Sequence, residues 1–327
     1  MQQIKLGTQG LVVSVMGLGC MGMSEFYKGG TEKESIETIH RAIEKGVNFF
    51  DTADIYGPFD NEVLLGSAIK EHRNNIMIAT KFGYERSSTG ELLGINGRPD
   101  YVEKCCNASL KRLGVSVIDL YYQHRVDPRV PIEETLGAMA DLVKDGKVRF
   151  LGLSEAKPDT IRRAHKIYPL SALQTEYSIW SREPEKEILA TVRELGIGFV
   201  AYSPLGRGFL TARFQQPEDF ALDDYRTYSP RFQGDNFYKN LNIIDELKHL
   251  ANAKKITTSQ LALAWLKAQG EDICILFGTK QKSHLEENLR SIDIKLTPED
   301  LSAINHIAPP GAAFGARYLD MRDIDYN

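Results

Sequence analysis

Residues 148–201, VRFLGLSEAKPDTIRRAHKIYPLSALQTEYSIWSREPEKEILATVRELGIGFVA, alternate between short apolar runs and amphipathic helical stretches. The apolar runs are 148–153, 173–175 and 198–201, and the helical stretches between them are about 158–167 and 184–195. Short apolar runs without polar alternation are typical of a parallel sheet that is covered on both faces. The segment therefore predicts consecutive strand and helix units in one parallel sheet.

The same alternation extends over most of the chain. Five further apolar runs, at 15–19, 47–50, 76–79, 118–122 and 273–277, bring the predicted strands to eight. Further helices are predicted from a capping box at Thr31 to Gly46, from an N-cap at Thr297, and at 62–70, 100–113, 132–144, 259–268 and 283–289. Eight such units predict an α/β fold of the (β/α)8 TIM-barrel type. An open doubly wound sheet is the alternative, and it would have fewer strands or a break in composition.

Two segments depart from the alternation. The opening residues, 4 to 15, place two apolar triplets around Gly7-Thr8-Gln9-Gly10, which predicts an N-terminal β-hairpin. Residues 206–238 follow the seventh strand, have no clear period, and are predicted to form a long loop. Loops of that length in compact domains are usually functional or disordered. Since no Pro/Gly/Ser-rich linker divides the chain, we expect residues 1–327 to form one barrel domain.

Composition excludes several classes of protein. The 327 residues are 42% hydrophobic and 26% charged, close to the globular average, which excludes a collagen-like or largely disordered chain. The net charge of −4 supplies no basic field for nucleic-acid binding. The four cysteines form no metal-binding or disulfide pattern and indicate a reducing compartment. No signal peptide or membrane span is recognisable, so we expect a cytoplasmic protein, and the sequence predicts no particular oligomeric state.

Polar residues at the ends of three successive predicted strands suggest the chemistry. Asp51, Lys81 and His124 end strands two, three and four, and Tyr56 follows shortly after Asp51. Such positions are typical of catalytic residues in a barrel. A buried lysine needs a partner, so we expect a carboxylate beside Lys81. An ammonium there would lower the pKa of the Tyr56 phenol, which predicts proton transfer to a carbonyl oxygen, with hydride supplied by a cofactor.

Four motifs together resemble the aldo-keto reductase superfamily over nearly the whole chain. They are FDTADIYG at 50–57, ATKFG at 79–83, DLYYQHRVD at 119–127, and the segment from GTK at 278–280 to Asn288. The resemblance implies an NAD(P)H-dependent carbonyl reductase on a (β/α)8 barrel, acting on small aldehydes or ketones. It also implies that Tyr56 is the general acid, that Lys81 and Asp51 tune it, and that His124 orients the carbonyl.

The resemblance further implies a set of cofactor-binding residues. Ser154 and Gln174 would bind the nicotinamide carboxamide, and Tyr202 would stack on its ring. The pyrophosphate would meet the backbone of Ser203, Pro204, Leu205, Gly206 and Gly208. The adenosine end would be held by Gly278, Thr279, Lys280, His284, Glu287 and Asn288.

The chain departs from the family pattern at several of these positions. Phe277 stands where many relatives have proline, and Glu155 stands where other branches carry asparagine. Gln281 and His284 stand where many relatives place an arginine near the 2′-phosphate, which leaves Lys280 as the permanent cation among those positions. Arginine binds phosphate bidentately. We expect the cofactor to be NADPH, because the family commonly uses it, and NADH remains the alternative.

Other functions remain open from the residues alone. Residues 17–22, GLGCMG, fit the GxGxxG pattern of a Rossmann fold, but no helix follows directly and no acidic residue ends a strand about 20 positions later. Lys81 alone also fits a Schiff-base aldolase. A third possibility is a cofactor-binding regulatory subunit, like the potassium-channel β subunits of this superfamily. The absence of an added N-terminal arm before the hairpin is an argument against it.

Overall fold

Eight parallel strands close into a barrel. The structure is a computed structural model, and it describes residues 1–24, 26–27, 29–87, 90–322 and 324–325. Its strands are β1 (Gln3–Leu6), β2 (Leu11–Ser14), β3 (Met16–Gly19), β4 (Phe49–Asp51), β5 (Met77–Phe82), β6 (Tyr84–Arg86), β7 (Leu92–Ile95), β8 (Ile118–Gln123), β9 (Val148–Ser154), β10 (Ala172–Glu176), β11 (Gly198–Tyr202) and β12 (Ile273–Gly278). The barrel order is β3-β4-β5-β8-β9-β10-β11-β12, with β12 pairing back onto β3. This confirms the predicted TIM barrel and excludes the open sheet.

The strands run further toward their carboxyl ends than the apolar runs indicate. β5 extends to Phe82 rather than residue 79, and β9, β10 and β11 each gain a terminal residue, Ser154, Glu176 and Tyr202. These added residues include polar ones that the barrel rim buries, among them Lys81, so hydrophobicity alone ends the strands early. Of the GxGxxG glycines, Gly17 and Gly19 lie in β3 and Gly22 lies in the single 3-10 turn that follows. No helix opens at these described residues, so the Rossmann interpretation is wrong.

Helices surround the barrel. They are α1 (Glu32–Glu44), α2 (Asp60–Ile69), α3 (Pro99–Leu113), α4 (Ile132–Lys144), α5 (Pro158–Ile167), α6 (Ile188–Glu194), α7 (Gly234–Ala253), α8 (Thr258–Lys267), α9 (Lys282–Leu289) and α10 (Pro298–Ile307). The predicted capping box at Thr31 and the N-cap at Thr297 are both present. The twenty-residue α7 is absent from the predicted set, although Phe237, Leu241 and Ile244 show the required spacing.

The predicted hairpin closes the amino-terminal end of the barrel. β1 and β2 pair antiparallel, from Gln3 opposite Ser14 to Leu6 opposite Leu11. Leu6 is fully buried and packs on Gly198, where β11 begins. A Cβ atom at position 198 would lie 2.6 Å from the Cα atom of Leu6, which is too close for any carbon pair. The glycine therefore lets the hairpin backbone approach the barrel.

Gly198→Ala is expected to lower the free energy of unfolding by about 1–3 kcal/mol, because the added methyl group overpacks this contact. Urea denaturation measures the change. Gly137→Ala is the matched control, since position 137 lies in α4 with nothing within 4 Å of an added Cβ. Alanine there should be neutral or stabilising by up to about 1 kcal/mol. Equal stabilities for the 198 variant and the parent chain would contradict this account of the hairpin.

The long segment after β11 is packed rather than extended. It contains 3-10 turns at Gly206–Thr211, Pro217–Asp219, Tyr225–Tyr228 and Pro230–Phe232 before α7 begins. Phe209 stacks on Trp180 with ring centroids 5.5 Å apart, and Phe232 lies 5.4 Å from Phe209. These aromatic contacts hold the segment over the carboxyl end of the barrel. A second hairpin, β6 and β7, was not predicted. No described helix combines the length and apolarity that crossing a membrane requires.

Candidate active site

Lys81 and Asp51 form a buried ion pair at the carboxyl end of β5 and β4. The Lys81 ammonium donates hydrogen bonds to Asp51 Oδ1 and, at 2.8 Å, to the carbonyl oxygen of Thr52. Gln174 Nε2 donates to the other carboxylate oxygen at 2.8 Å. Burial raises the pKa of Asp51 and lowers the pKa of Lys81, while their contact opposes both shifts. The expected carboxylate partner of Lys81 is therefore present.

Tyr56 and His124 lie against this pair. Tyr56 is in the turn after β4, and its ring centroid is 5.4 Å from the Lys81 ammonium. His124 directly follows β8, and its ring meets that of Tyr56 edge-on, with centroids 5.8 Å apart. Tyr84, on β6, contacts the same imidazole at 5.2 Å. The structure thus brings all four residues predicted from the strand ends to one point at the rim.

The expected lowering of the Tyr56 pKa is not found. Burial raises the pKa of the Tyr56 phenol well above its ordinary value, the Asp51 charge adds to this, and Arg125 opposes it. The reason is that burial disfavours the charged phenolate more than the positive charge of Arg125 favours it. Tyr56 is therefore protonated across the physiological pH range, as a proton donor must be.

The His124 imidazole is neutral. Burial lowers its pKa well below the ordinary value, and the positive charges of Arg125 and Lys81 lower it further. Its Nδ1 atom is buried and has no hydrogen-bond partner among the described residues. A buried polar atom without a partner is costly unless a ligand satisfies it. The unsatisfied nitrogen belongs to the ring that packs edge-on against Tyr56, so the imidazole has hydrogen-bonding capacity left for a ligand.

The residues expected to meet the nicotinamide come from three adjacent strands. Ser154 and Tyr202 end β9 and β11, and Gln174 is the third residue of β10 between them. Their side chains already have protein partners. Gln174 contacts Asp51, and Ser154 Oγ accepts a hydrogen bond from Arg125 at 3.3 Å. The Tyr202 hydroxyl donates to Glu155 Oε1 at 2.8 Å. Tyr202 is half-buried and lies opposite Glu176 in the register of β10 and β11.

A turn with repeated left-handed residues follows β11. The φ angle is 50° at Ser203, 55° at Gly206, 58° at Arg207 and 87° at Gly208. Left-handed residues turn backbone N–H groups toward one side and form concavities that bind anions. A Cβ atom at position 206 would lie 2.7 Å from the Trp180 indole, so only glycine fits. The geometry of residues 203–208, with Pro204 and Leu205 between the left-handed positions, therefore fits a pyrophosphate.

The residues expected at the adenosine end lie together after β12, but Lys280 is engaged. Its ammonium donates to the carbonyl oxygens of Gly22 and Tyr27 at 3.2 and 2.8 Å. His284 Nε2 accepts a hydrogen bond from Arg213 at 3.2 Å. The remaining members are Gly278 at the end of β12, Thr279 directly after it, Glu287, which accepts from Thr257, and the buried Asn288. Sequence reasoning missed Arg213, a second permanent cation here, because it belongs to the long loop.

The structure also shows why a glutamate suits position 155, where other branches of the family carry asparagine. Its φ angle is 54°, and its carboxylate is buried. Arg317 Nη1 and Nη2 donate to it at 3.2 and 3.0 Å, and Tyr202 donates as well. Although burial opposes the shift, Arg317 and Arg125 lower the pKa of Glu155 to about 2. Glu155 thus anchors the C-terminal tail, whose Tyr318 hydroxyl lies 2.9 Å from that of Tyr202. No local sequence signal indicates this pairing across 162 positions.

Comparisons with known proteins agree with this geometry. The profile described as Aldo/keto reductase family matches residues 15–309. A soybean (Glycine max) protein named "Probable aldo-keto reductase 1" is 48% identical over 324 residues, covering 98% of this chain and 93% of that protein. The solved glycerol dehydrogenase of Gluconobacter oxydans is 30% identical with a TM-score of 0.84, covering 93% of this chain and 94% of its own. A thermostable aldo-keto reductase solved with the inhibitor epalrestat is 28% identical with a TM-score of 0.76, covering 94% and 100%.

Proposed function

This chain belongs to the aldo/keto reductase family, and from that premise we propose that it reduces small aldehydes or ketones to alcohols with NADPH. The observation that carries the proposal is the convergence of Tyr56, His124, Lys81 and Asp51 at one end of the barrel. Tyr56 donates the proton to the carbonyl oxygen, and the neutral His124 donates a hydrogen bond to the same oxygen. Two donors on one oxygen favour the developing negative charge over the ground-state carbonyl.

The Lys81–Asp51 pair acts on the proton donor. As negative charge forms on Tyr56, the Lys81 ammonium at 5.4 Å from the ring becomes more favourable. Asp51 opposes the lowering of the Lys81 pKa that burial causes, and so favours the charged form of the amine. Because the site excludes water, this electrostatic help is stronger than it would be at a surface.

The cofactor-side residues fit a dinucleotide. When bound, the nicotinamide ring supplies the hydride. The left-handed turn at 203–208 is suited to the pyrophosphate, and the Tyr202 ring would stack on the nicotinamide. Ser154 and Gln174 would bind the carboxamide, and their present partners are Arg125 and Asp51.

Arg213 supports the proposal that the cofactor is NADPH rather than NADH. Its guanidinium is hydrogen-bonded to His284, near which the 2′-phosphate is expected. Arg213→Gln should weaken NADPH binding by up to about fivefold, the upper end of the range for a solvent-exposed charge pair, and leave NADH binding unchanged. Fluorescence titration with each cofactor measures both affinities. Lys282→Gln, an exposed lysine of α9 paired with Glu37, is the matched control and should alter neither. Equal losses for the two cofactors would contradict the assignment.

A carbonyl panel assayed by NADPH consumption tests the proposed function itself. We expect turnover with small aromatic and aliphatic aldehydes. Tight cofactor binding without turnover over the panel would instead indicate the regulatory subunit. Borohydride trapping of a substrate on Lys81 would indicate the aldolase, and we expect none, because Asp51 holds the amine as an ammonium ion that cannot attack a carbonyl.

A further inference from the structure

A surplus of positive charge is buried beside the candidate active site. Among the described residues, the cluster under the C-terminal tail contains four arginines and two glutamates. Its members are Arg125, Arg207, Arg231, Arg317, Glu155 and Glu176, all with side chains no more than 8% exposed. Burying uncompensated charge is expensive, so a cluster of this kind normally has a counter-ion.

Two of the arginines take up the two carboxylates. Arg317 pairs with Glu155 at 3.0 Å, and Arg231 pairs with Glu176 at 3.2 Å. Arg207 reaches Glu176 only at 3.6 Å, beyond ordinary hydrogen-bond length. The guanidinium of Arg125 has only neutral partners at hydrogen-bond distance, which are Ser154, a backbone carbonyl and Tyr318. In the part of the chain that the structure describes, Arg125 therefore has no carboxylate at hydrogen-bond distance, and Arg207 has only the 3.6 Å contact with Glu176.

Unsatisfied donor atoms identify the same two residues. Arg125 Nε and Arg207 Nη1 are buried and have no hydrogen-bond partner among the described residues. Both guanidinium groups flank one phenol, that of Tyr318. Arg207 lies 4.5 Å from its ring centroid, and Arg125 Nη2 lies 3.5 Å from its hydroxyl. The 3.5 Å contact is weak enough for a better acceptor to replace the phenol.

The position of Arg125 relates this charge to the carbonyl site. Arg125 directly follows His124, and its Nη1 donates to the His124 carbonyl oxygen at 2.6 Å. Its guanidinium also lies 5.9 Å from the ring centroid of Tyr84, which contacts the His124 imidazole. An anion bound to Arg125 would therefore lie close to His124 and Tyr84.

We propose that the carbonyl substrate carries an anionic oxygen group, such as a carboxylate, that pairs with Arg125 and Arg207. The inference rests on the proposed function and narrows its substrate class. Carboxylates match the guanidinium fork and form charge-assisted hydrogen bonds. The cofactor pyrophosphate is a second source of anionic oxygens, since Arg207 lies in the turn at 203–208, and the experiment must separate the two.

The test compares 4-carboxybenzaldehyde with 4-methylbenzaldehyde, which differ only in the group opposite the aldehyde. We expect kcat/KM to favour the carboxylate by about 10- to 100-fold in the parent chain, the range for a charge-assisted hydrogen bond. Arg125→Gln and Arg207→Gln should bring the ratio toward one, and Arg207→Lys should retain much of it. Arg290→Gln removes an exposed charge beside Met1 and Lys45 and should leave the ratio unchanged.

The outcomes separate this inference from the proposed function. Equal kcat/KM for both aldehydes overturns the anionic substrate and leaves the reductase standing. If Arg207→Gln has a higher KM for NADPH but keeps the carboxylate preference, the Arg207 charge serves the cofactor. That result also overturns the inference. Reduction of neither aldehyde, with NADPH bound, overturns the reductase and this inference with it. The parent-chain comparison decides even where a variant does not fold.

Discussion

Tyr56→Phe is expected to lower kcat for carbonyl reduction by about 10²- to 10⁴-fold, the usual contribution of a positioned general acid. The variant lacks only the hydroxyl group, and the ring contacts with His124 and Phe26 remain possible. NADPH binding should therefore be retained within about threefold, since the change removes no cofactor contact that we propose. Steady-state kinetics and a cofactor titration on the same preparation measure both quantities.

Tyr84→Phe is the matched control for this variant. Tyr84 also contacts the His124 imidazole edge-on, at 5.2 Å, but it comes from β6 rather than from the turn after β4. It should keep kcat within about tenfold of the parent chain. If Tyr56→Phe reduced carbonyls as fast as the parent chain, Tyr56 would not be the proton donor.

Lys81→Met should lower the free energy of unfolding by about 3–5 kcal/mol, because it leaves the buried Asp51 carboxylate without its charge partner. Reduction should also fall sharply, since Tyr56 loses the ammonium that favours its ionised form. Asp51→Asn combined with Lys81→Met should recover part of the stability, because a neutral amide is cheaper to bury than an unpaired charge. Urea denaturation of both variants and the parent chain measures the effect.

The loss of stability in the single variant Lys81→Met should depend on pH. Without Lys81, burial raises the pKa of Asp51 further above its unfolded value. A group with a raised folded-state pKa contributes stability below its unfolded pKa and loses it as the pH rises through the folded pKa. The deficit of Lys81→Met should therefore be small near pH 4 and grow toward pH 8. A deficit independent of pH would mean that Asp51 is not the group left unpaired.

The barrel was predictable because each of its strands is a compact apolar run between helical stretches. Parallel strands buried on both faces must have that pattern, so all eight could be found from the sequence. The strand ends were less accurate, since Lys81, Ser154 and Glu176 are polar residues that belong to strands. Helix α7 was missed because its first turn follows a segment of irregular composition, although its later residues have helical spacing.

Part of the candidate site could likewise be predicted from the sequence, and part of it could not. Tyr56, Lys81, Asp51 and His124 follow from their places at strand ends, which the barrel brings together. The sequence could not give the direction of the Tyr56 pKa shift, because that depends on how completely the fold buries the phenol. The contacts of Arg213, Arg317 and Tyr318 also could not be predicted. Each joins a loop or tail residue to a residue more than 70 positions away, and no sequence periodicity indicates such a pairing.

Hydride transfer to a carbonyl carbon is the central claim, and isotope transfer tests it most directly. The chain would be incubated with 4-methylbenzaldehyde and NADPH deuterated at C4 of the nicotinamide, each stereoisomer in turn, and the alcohol analysed by mass spectrometry. We expect one stereoisomer to give an alcohol with a single deuterium, in a reaction that Tyr56→Phe abolishes. Bound NADPH with no labelled alcohol from this aldehyde or from 4-carboxybenzaldehyde would contradict the account and indicate a cofactor-binding subunit.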